Sequence, residues 1–190
     1  MKSTPFVLLL PLAMASFGFN AMAPQQPPVW RQSQKNDAAG ETTYTRFTLS
    51  GKFLKAPQGD VLSNHPSLVL DCAPGRGSHP RKGRLLTGNL LVGTALKILY
   101  VEPEEIHGTS YFQKISVRYR LDDAKEETER WSPGTEKASA SIPASALKKM
   151  LRAHSVELTA DDNHGLPVVI QFDMPDPGPV DAACGVDDHK

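Results

Sequence analysis

Long apolar runs are scarce in this chain of 190 residues: a single one, Phe6 to Ala15, stands near the start. A membrane-spanning helix needs roughly 20 apolar residues, so no membrane span is expected. Lys2 before the run and the small residues Ala21 and Ala23 after it complete the three parts of a secretory signal peptide. Residues 1–23 are read as that signal, and the protein as exported, to the periplasm or the cell exterior.

An excess of one charge is lacking too. The 21 lysines and arginines balance 21 acids, and Lys2 is the only charge in residues 1–23, so the remaining 167 residues carry 20 basic against 21 acidic side chains. Neutrality supplies no electrostatic drive towards nucleic acid or an anionic membrane, and neither partner is expected.

Cysteine is nearly absent, with two residues in the whole chain. No CxxC or paired Cys/His spacing exists, which argues against a structural zinc, and nothing else in the sequence points to a metal or cofactor. In an oxidising compartment an even pair of cysteines bridges, so a Cys72–Cys184 disulfide is expected. It closes a loop of 112 residues, worth about 4–5 kcal/mol in the chain-entropy model before native strain is subtracted. Catalytic signatures are missing as well: no HExxH, no GxSxG elbow and no Walker loop occurs.

What the sequence does have is alternation. Residues 24–42 are rich in Pro, Gln, Asn and Gly without apolar period and read as a flexible leader. From residue 43 short strand-like runs are separated by turn residues about every ten positions. TYTRFTLSGKFL alternates Tyr44, Phe47, Leu49 and Phe53 with polar residues, with a bulge expected near Gly51. SLVLDC, RLLTGNLLVG, TALKILYVE, VRYRL, SVELTA and LPVVIQFDM follow, the last two joined at Gly165. One helix interrupts them in SIPASALKKMLRAH, with Ser141 as its cap, Pro143 in its first turn, and Ala146, Leu147, Met150 and Leu151 on one face. The expected fold is mainly β, an antiparallel β-sandwich or partly open barrel with one short α-helix, in a single domain over residues 43–185 with a disordered tail, 186–190.

The stretch VRYRLDDAKEETERW, residues 117–131, holds the most suggestive side chains. Val117, Tyr119 and Leu121 share one strand face, which turns Arg118, Arg120 and Asp122 to the other. Cross-strand ion pairs on a wet face account for them; the sharper reading makes Arg118 and Arg120 a fork for a carboxylate or phosphate on a partner. DDAKEETER reads as the hairpin tip, and Trp131 as a residue packed on the core edge or, failing that, an anchor for a partner. Three other clusters are weighed against plain solvated turns: the acids Glu102, Glu104 and Glu105; Asp161, Asp162 and His164 in ADDNHG; and the basic loop with Arg76, His79, Arg81, Lys82 and Arg84.

The order LVLDC, VRYRLDD, ERWS, ALKKMLRA, and VVIQF before AACG resembles the C-terminal domain of the periplasmic accessory proteins associated with type VI secretion. Cys72, Arg120, Asp122, Trp131, Ser132, Phe172 and Cys184 occupy the positions that carry the likeness, over roughly residues 67–185. The sequence departs from that pattern in Asp173-Met174-Pro175, where the family tends to have a glycine-leucine turn. The resemblance implies a sandwich-like accessory domain of the envelope, with Arg120 and Asp122 fixing a hairpin and Trp131 pinning its return.

The expected function is that of an exported, non-enzymatic binding module or envelope adaptor for another envelope or secreted protein, linked to secretion by the resemblance. Its partner-binding residues would be Arg118, Arg120, Asp122 and Trp131, with no catalytic residue, cofactor or metal. The alternatives are a secreted hydrolase of wall polymers or glycans using Glu102 to Glu105 with Asp122 or Asp123, and a small-ligand carrier with an apolar cavity between its sheets.

Overall fold

The computed structural model describes residues 27–36, 43–58, 65–73, 85–101, 112–134 and 138–184. The strands are β1 (Arg31–Asn36), β2 (Thr43–Ser50), β3 (Lys52–Lys55), β4 (Ser67–Ala73), β5 (Leu85–Leu91), β6 (Leu99–Val101), β7 (Phe112–Leu121), β8 (Glu127–Pro133), β9 (Ser139–Ile142), β10 (Ser155–Asp161) and β11 (Pro167–Asp173). Helix α1 (Ala144–Met150) separates β9 from β10, and α2 (Gly178–Cys184) follows β11. The expected mainly antiparallel β architecture is found, with two short helices instead of one. The signal segment, the basic loop with Arg76 to Arg84, the acids Glu102 to Glu105 and the tail lie outside the described residues.

All the strand pairings are antiparallel, and the sheet runs in the order β1-β2-β4-β5-β9-β8-β7-β10-β11-β3, with β6 attached to β7. Leaving aside the edge strand β1, this path starts in β2 and ends in β3, which are one run of chain broken at Gly51. The sheet therefore curls round a single core. Gly51 is there because of crowding: a Cβ on it would come within 2.7 Å of the Phe172 ring and 2.9 Å of the Gln171 carbonyl oxygen. The irregular register expected near Gly51 falls slightly later, where Lys55 pairs with Val169 and Phe53 with Ile170, leaving Leu54 as the extra residue.

The inward residues follow the period of two. Phe47 and Leu49 on β2, Leu68, Leu70 and Cys72 on β4, Ile115, Val117 and Tyr119 on β7, and Val168, Ile170 and Phe172 on β11 are all buried. Helix α1 buries Ala146, Leu147 and Met150, with Leu151 just beyond it, as the sequence predicts. Its start differs from the expectation. Pro143 holds the N-cap position without a side-chain hydrogen bond, and Ser141 lies in β9, where its hydroxyl meets Asn89 Oδ1 at 3.1 Å. A β-ladder had already claimed the residue that local pattern assigned to capping.

A further correction concerns the N-terminal end of the domain. Arg31–Asn36, read as part of a flexible leader, is the strand β1, paired along its whole length with β2. All six of its residues are exposed, so no hydrophobic period marks it. Just before it, Trp30 packs edge-on against Phe47, ring centroids 6.4 Å apart. At the other end, α2 buries Val180 and carries Cys184, which forms the expected disulfide with Cys72 on β4, Cα atoms 5.1 Å apart.

Candidate functional site

The outward side of β7 and its neighbours gathers the residues singled out by the sequence. Arg118 and Arg120 are exposed there, while Val117 and Tyr119, which alternate with them, point inward and are buried. Register sets their surroundings: Arg118 lies between Thr128 on β8 and Thr159 on β10, and Arg120 lies beside Glu157. Arg120 Nη2 donates to Glu157 Oε1 at 2.8 Å. The cross-strand ion pair is thus present, but with a glutamate of the adjacent strand β10, remote in sequence, and not with the neighbouring aspartates. No ion pair of Arg118 is found among the described residues.

Asp122 closes β7 with a left-handed backbone, φ 49°, a conformation that aspartate tolerates better than most residues. Its Oδ1 accepts the backbone N–H groups of His154 at 2.9 Å and Ser155 at 2.8 Å, and its own N–H donates to the Ser155 carbonyl at 3.0 Å. The N–H of Ser155 above all, and that of His154, hold the Asp122 carboxyl below the usual aspartate range. Asp122 is a staple between the hairpin tip and the start of β10.

Two shallow depressions adjoin on this outer surface. One, of about 360 Å³, is lined by Arg120, Asp122, Asp123, Ala124, Ser155, Glu157 and Gln171. The other, of about 410 Å³, is lined by Pro27, Pro28, Ser50, Gly51, Lys52, Gln171 and Asp173. Gln171 belongs to both, on the rung where Arg120, Glu157, Gln171 and Lys52 lie side by side across four strands.

Trp131 is not part of that surface. It is fully buried on the inward side of β8, opposite Ile115, with its ring centroid 6.2 Å from that of Tyr119. The reading of Trp131 as a partner anchor is corrected by this placement. Nor does β8 begin where the sequence suggests: it starts at Glu127, so the tip shrinks to Asp122–Glu126, and Glu127 and Glu129 lie on the same inward side as Trp131.

Those two glutamates are the polar residues that sequence reasoning missed. The hydroxyl of Tyr119 lies 2.7 Å from Glu129 Oε1 and 2.8 Å from Glu127 Oε2, and Trp131 Nε1 donates to Glu129 Oε2 at 3.1 Å. Lys149 of α1 donates to both oxygens of Glu127, at 3.0 and 2.7 Å. The result is a continuous polar chain from the helix surface to the buried indole. Burial, then the two glutamates, push the Tyr119 hydroxyl far above its ordinary range, while Lys149 and then Tyr119 hold Glu127 below the usual glutamate range. Period-two counting through ETERW was the available signal.

A stability consequence follows with a definite sign. Glu127 and Asp122 are held below their unfolded values, so the folded chain stays ionised where the unfolded chain already binds protons. Their contribution is complete above about pH 5 and is lost as the pH falls through the folded values. Lys149→Met removes the main cause of the Glu127 shift. Urea midpoints followed between pH 6 and pH 3 should fall less steeply for that variant than for the parent chain; identical slopes would show that the Lys149–Glu127 pair carries no linkage.

The ADDNHG stretch forms a turn. Asp162 is fully buried and its Oδ1 accepts the N–H groups of His164 and Leu166, each at 2.9 Å, while Gly165 takes the positive φ of 78° that the hairpin requires. Among the described residues no group of three or more His, Cys, Asp or Glu side chains is placed to hold a metal ion. No helix among them is long and apolar enough to cross a membrane. Compared with known proteins, the chain matches no family model, no curated protein and no solved structure.

Proposed function

We propose that this protein is an exported binding module, an adaptor of the cell envelope that acts by recognising another envelope or secreted protein and not by catalysis. The outer surface of β8, β7, β10 and β11 is the recognition surface, with Arg118 and Arg120 as its principal side chains. The observation that carries this reading is the preparation of that surface. Glu157 holds Arg120 in place, Asp122 staples the hairpin to β10, and Arg118 is left exposed between two threonines. Rigid presentation of an exposed charge reduces the ordering cost of binding.

Export is supported by the signal-like start of the chain and by the Cys72–Cys184 bridge, which persists in oxidising compartments. The resemblance to accessory proteins of type VI secretion supports a place in the envelope beside a secretion apparatus. The hydrolase alternative is weakened by Asp122. A general acid needs a raised pKa, whereas this carboxyl is lowered and spent on two backbone N–H groups. The carrier alternative needs an apolar cavity, but the interior holds Trp131, Tyr119, Phe47 and Phe172, all nearly inaccessible to solvent.

A photo-crosslinking amino acid at exposed Thr128 tests the reading in intact cells. One discrete protein adduct is expected, absent when the same group is placed at Lys35 on β1. No adduct from Thr128, or the same adducts from both positions, would overturn it.

A further inference from the structure

The neutral composition conceals a strong segregation of charge within the β7–β8 hairpin. The acids of β8, Glu127 and Glu129, turn inward to Tyr119 and Lys149. Its basic residue Arg130 turns outward, onto the side that carries Lys114, Arg118 and Arg120. No carboxylate of either strand faces outward between Lys114 and Arg120.

The outer rungs have a regular composition. Lys114 Nζ donates to Ser132 Oγ at 3.2 Å, Arg130 lies opposite Ser116, and Arg118 lies opposite Thr128. Each of three successive rungs pairs one base with one hydroxyl, and the base changes strand from rung to rung. Rungs on one face of a strand recur about every 7 Å, so the row from Lys114 to Arg120 extends over about 20 Å. Glu157 neutralises only its last member.

From this row we infer the kind of partner the surface takes: an extended acidic polypeptide segment with carboxylates at alternate positions. The inference rests on the binding-module reading above and narrows it. Alternate side chains of an extended peptide recur at the same 7 Å period as the bases of the hairpin. Guanidinium groups bind carboxylates in a bidentate fork, and the intervening hydroxyls donate to the remaining carboxylate lone pairs. Charge complementarity and period together select the occupant.

The probe is a short fluorescent peptide of alternating glutamate and threonine, titrated with the oxidised chain at low salt and read by anisotropy. Binding is expected, weakening as salt is added. The double variant R118Q/R130Q should bind about tenfold more weakly or worse, as loss of two charge-assisted contacts requires. R31Q/K35Q removes equal charge from the exposed edge strand β1 and should bind as the parent does. All four side chains are exposed, so both variants should keep the parent's urea midpoint.

Failure of the peptide to bind, equal binding of its glutamine counterpart, equal losses in the two double variants, or tighter binding of polygalacturonate than of the peptide would each overturn the inference. A protein adduct from Thr128 without peptide binding would leave the binding-module reading standing and remove this one alone. Peptide binding without an adduct in cells would remove the envelope partner from the reading above and leave only the preference of this surface for acidic segments.

Discussion

Trp131→Ala is expected to cost about 3–5 kcal/mol, the usual range for deleting a buried aromatic and leaving a cavity. That is a large part of the 5–15 kcal/mol typical of a whole domain. The indole is fully buried between Ile115 and Tyr119, and its Nε1 is the innermost donor of the chain that runs through Glu129, Tyr119 and Glu127 to Lys149. Alanine removes both the packing and the donor. Trp131→Phe keeps most of the volume and loses chiefly the hydrogen bond to Glu129, so it should cost about 1–3 kcal/mol. Urea unfolding of the two variants separates the contributions; equal losses would mean that the indole N–H, and not the ring, dominates.

Breaking the Cys72–Cys184 bridge comes next in size. Loss of a native disulfide from a small exported domain costs about 2–5 kcal/mol, and this one closes a span of 112 residues. Its local effect should be uneven. Helix α2 has only seven residues, held to the rest by contacts that include the bridge, buried Val180, partly buried Ala183 and a 3.9 Å Arg152–Asp181 pair. A helix that short is not stable by itself. In the variant C72S/C184S, hydrogen exchange should therefore rise first over residues 174–184, with β7 and β10 the last to open. Uniform acceleration throughout the chain would show that α2 is not a separable unit. Both cysteines are essentially inaccessible to solvent, so reduction of the native chain should be slow until urea opens it.

Much of the β architecture was legible because burial leaves a period-two imprint: Phe47 and Leu49 on β2, in phase with buried Thr45, and Val117, Tyr119 and Leu121 on β7, announce their strands, whereas Tyr44 lies on the outward face of β2. The disulfide was legible because the chain has two cysteines and no metal-binding spacing to occupy them. Strand β1 was not, because RQSQKN buries no residue and owes its conformation to pairing with β2. Helix α2 is too short to display a helical period, and the bridge fixes it from outside. The inward glutamates were missed for a different reason. A run as charged as KEETER reads as solvated, as exposed Glu127 indeed is, and the meeting with Tyr119 and Lys149 on the side of Trp131 is set by the fold. Of the surface residues, Arg118 and Arg120 were placed correctly by alternation, but Glu157 and Gln171 come from strands more than thirty residues away, beyond the reach of local pattern.

The bend at Gly51 also has a meaning in time. The residues just after it have their partner in β11, so Phe53 waits for Ile170 while its neighbours in β2 can pair at once with β4. Contacts so remote in sequence form late and slowly. A chain emerging from its N-terminus holds the first half of the closing strand long before the second half has anything to bind, and the second cysteine arrives later still. Until nearly the whole chain has been made β3 lacks its partner, so the last ladder of the sheet can form only when the C-terminal strand β11 is in place.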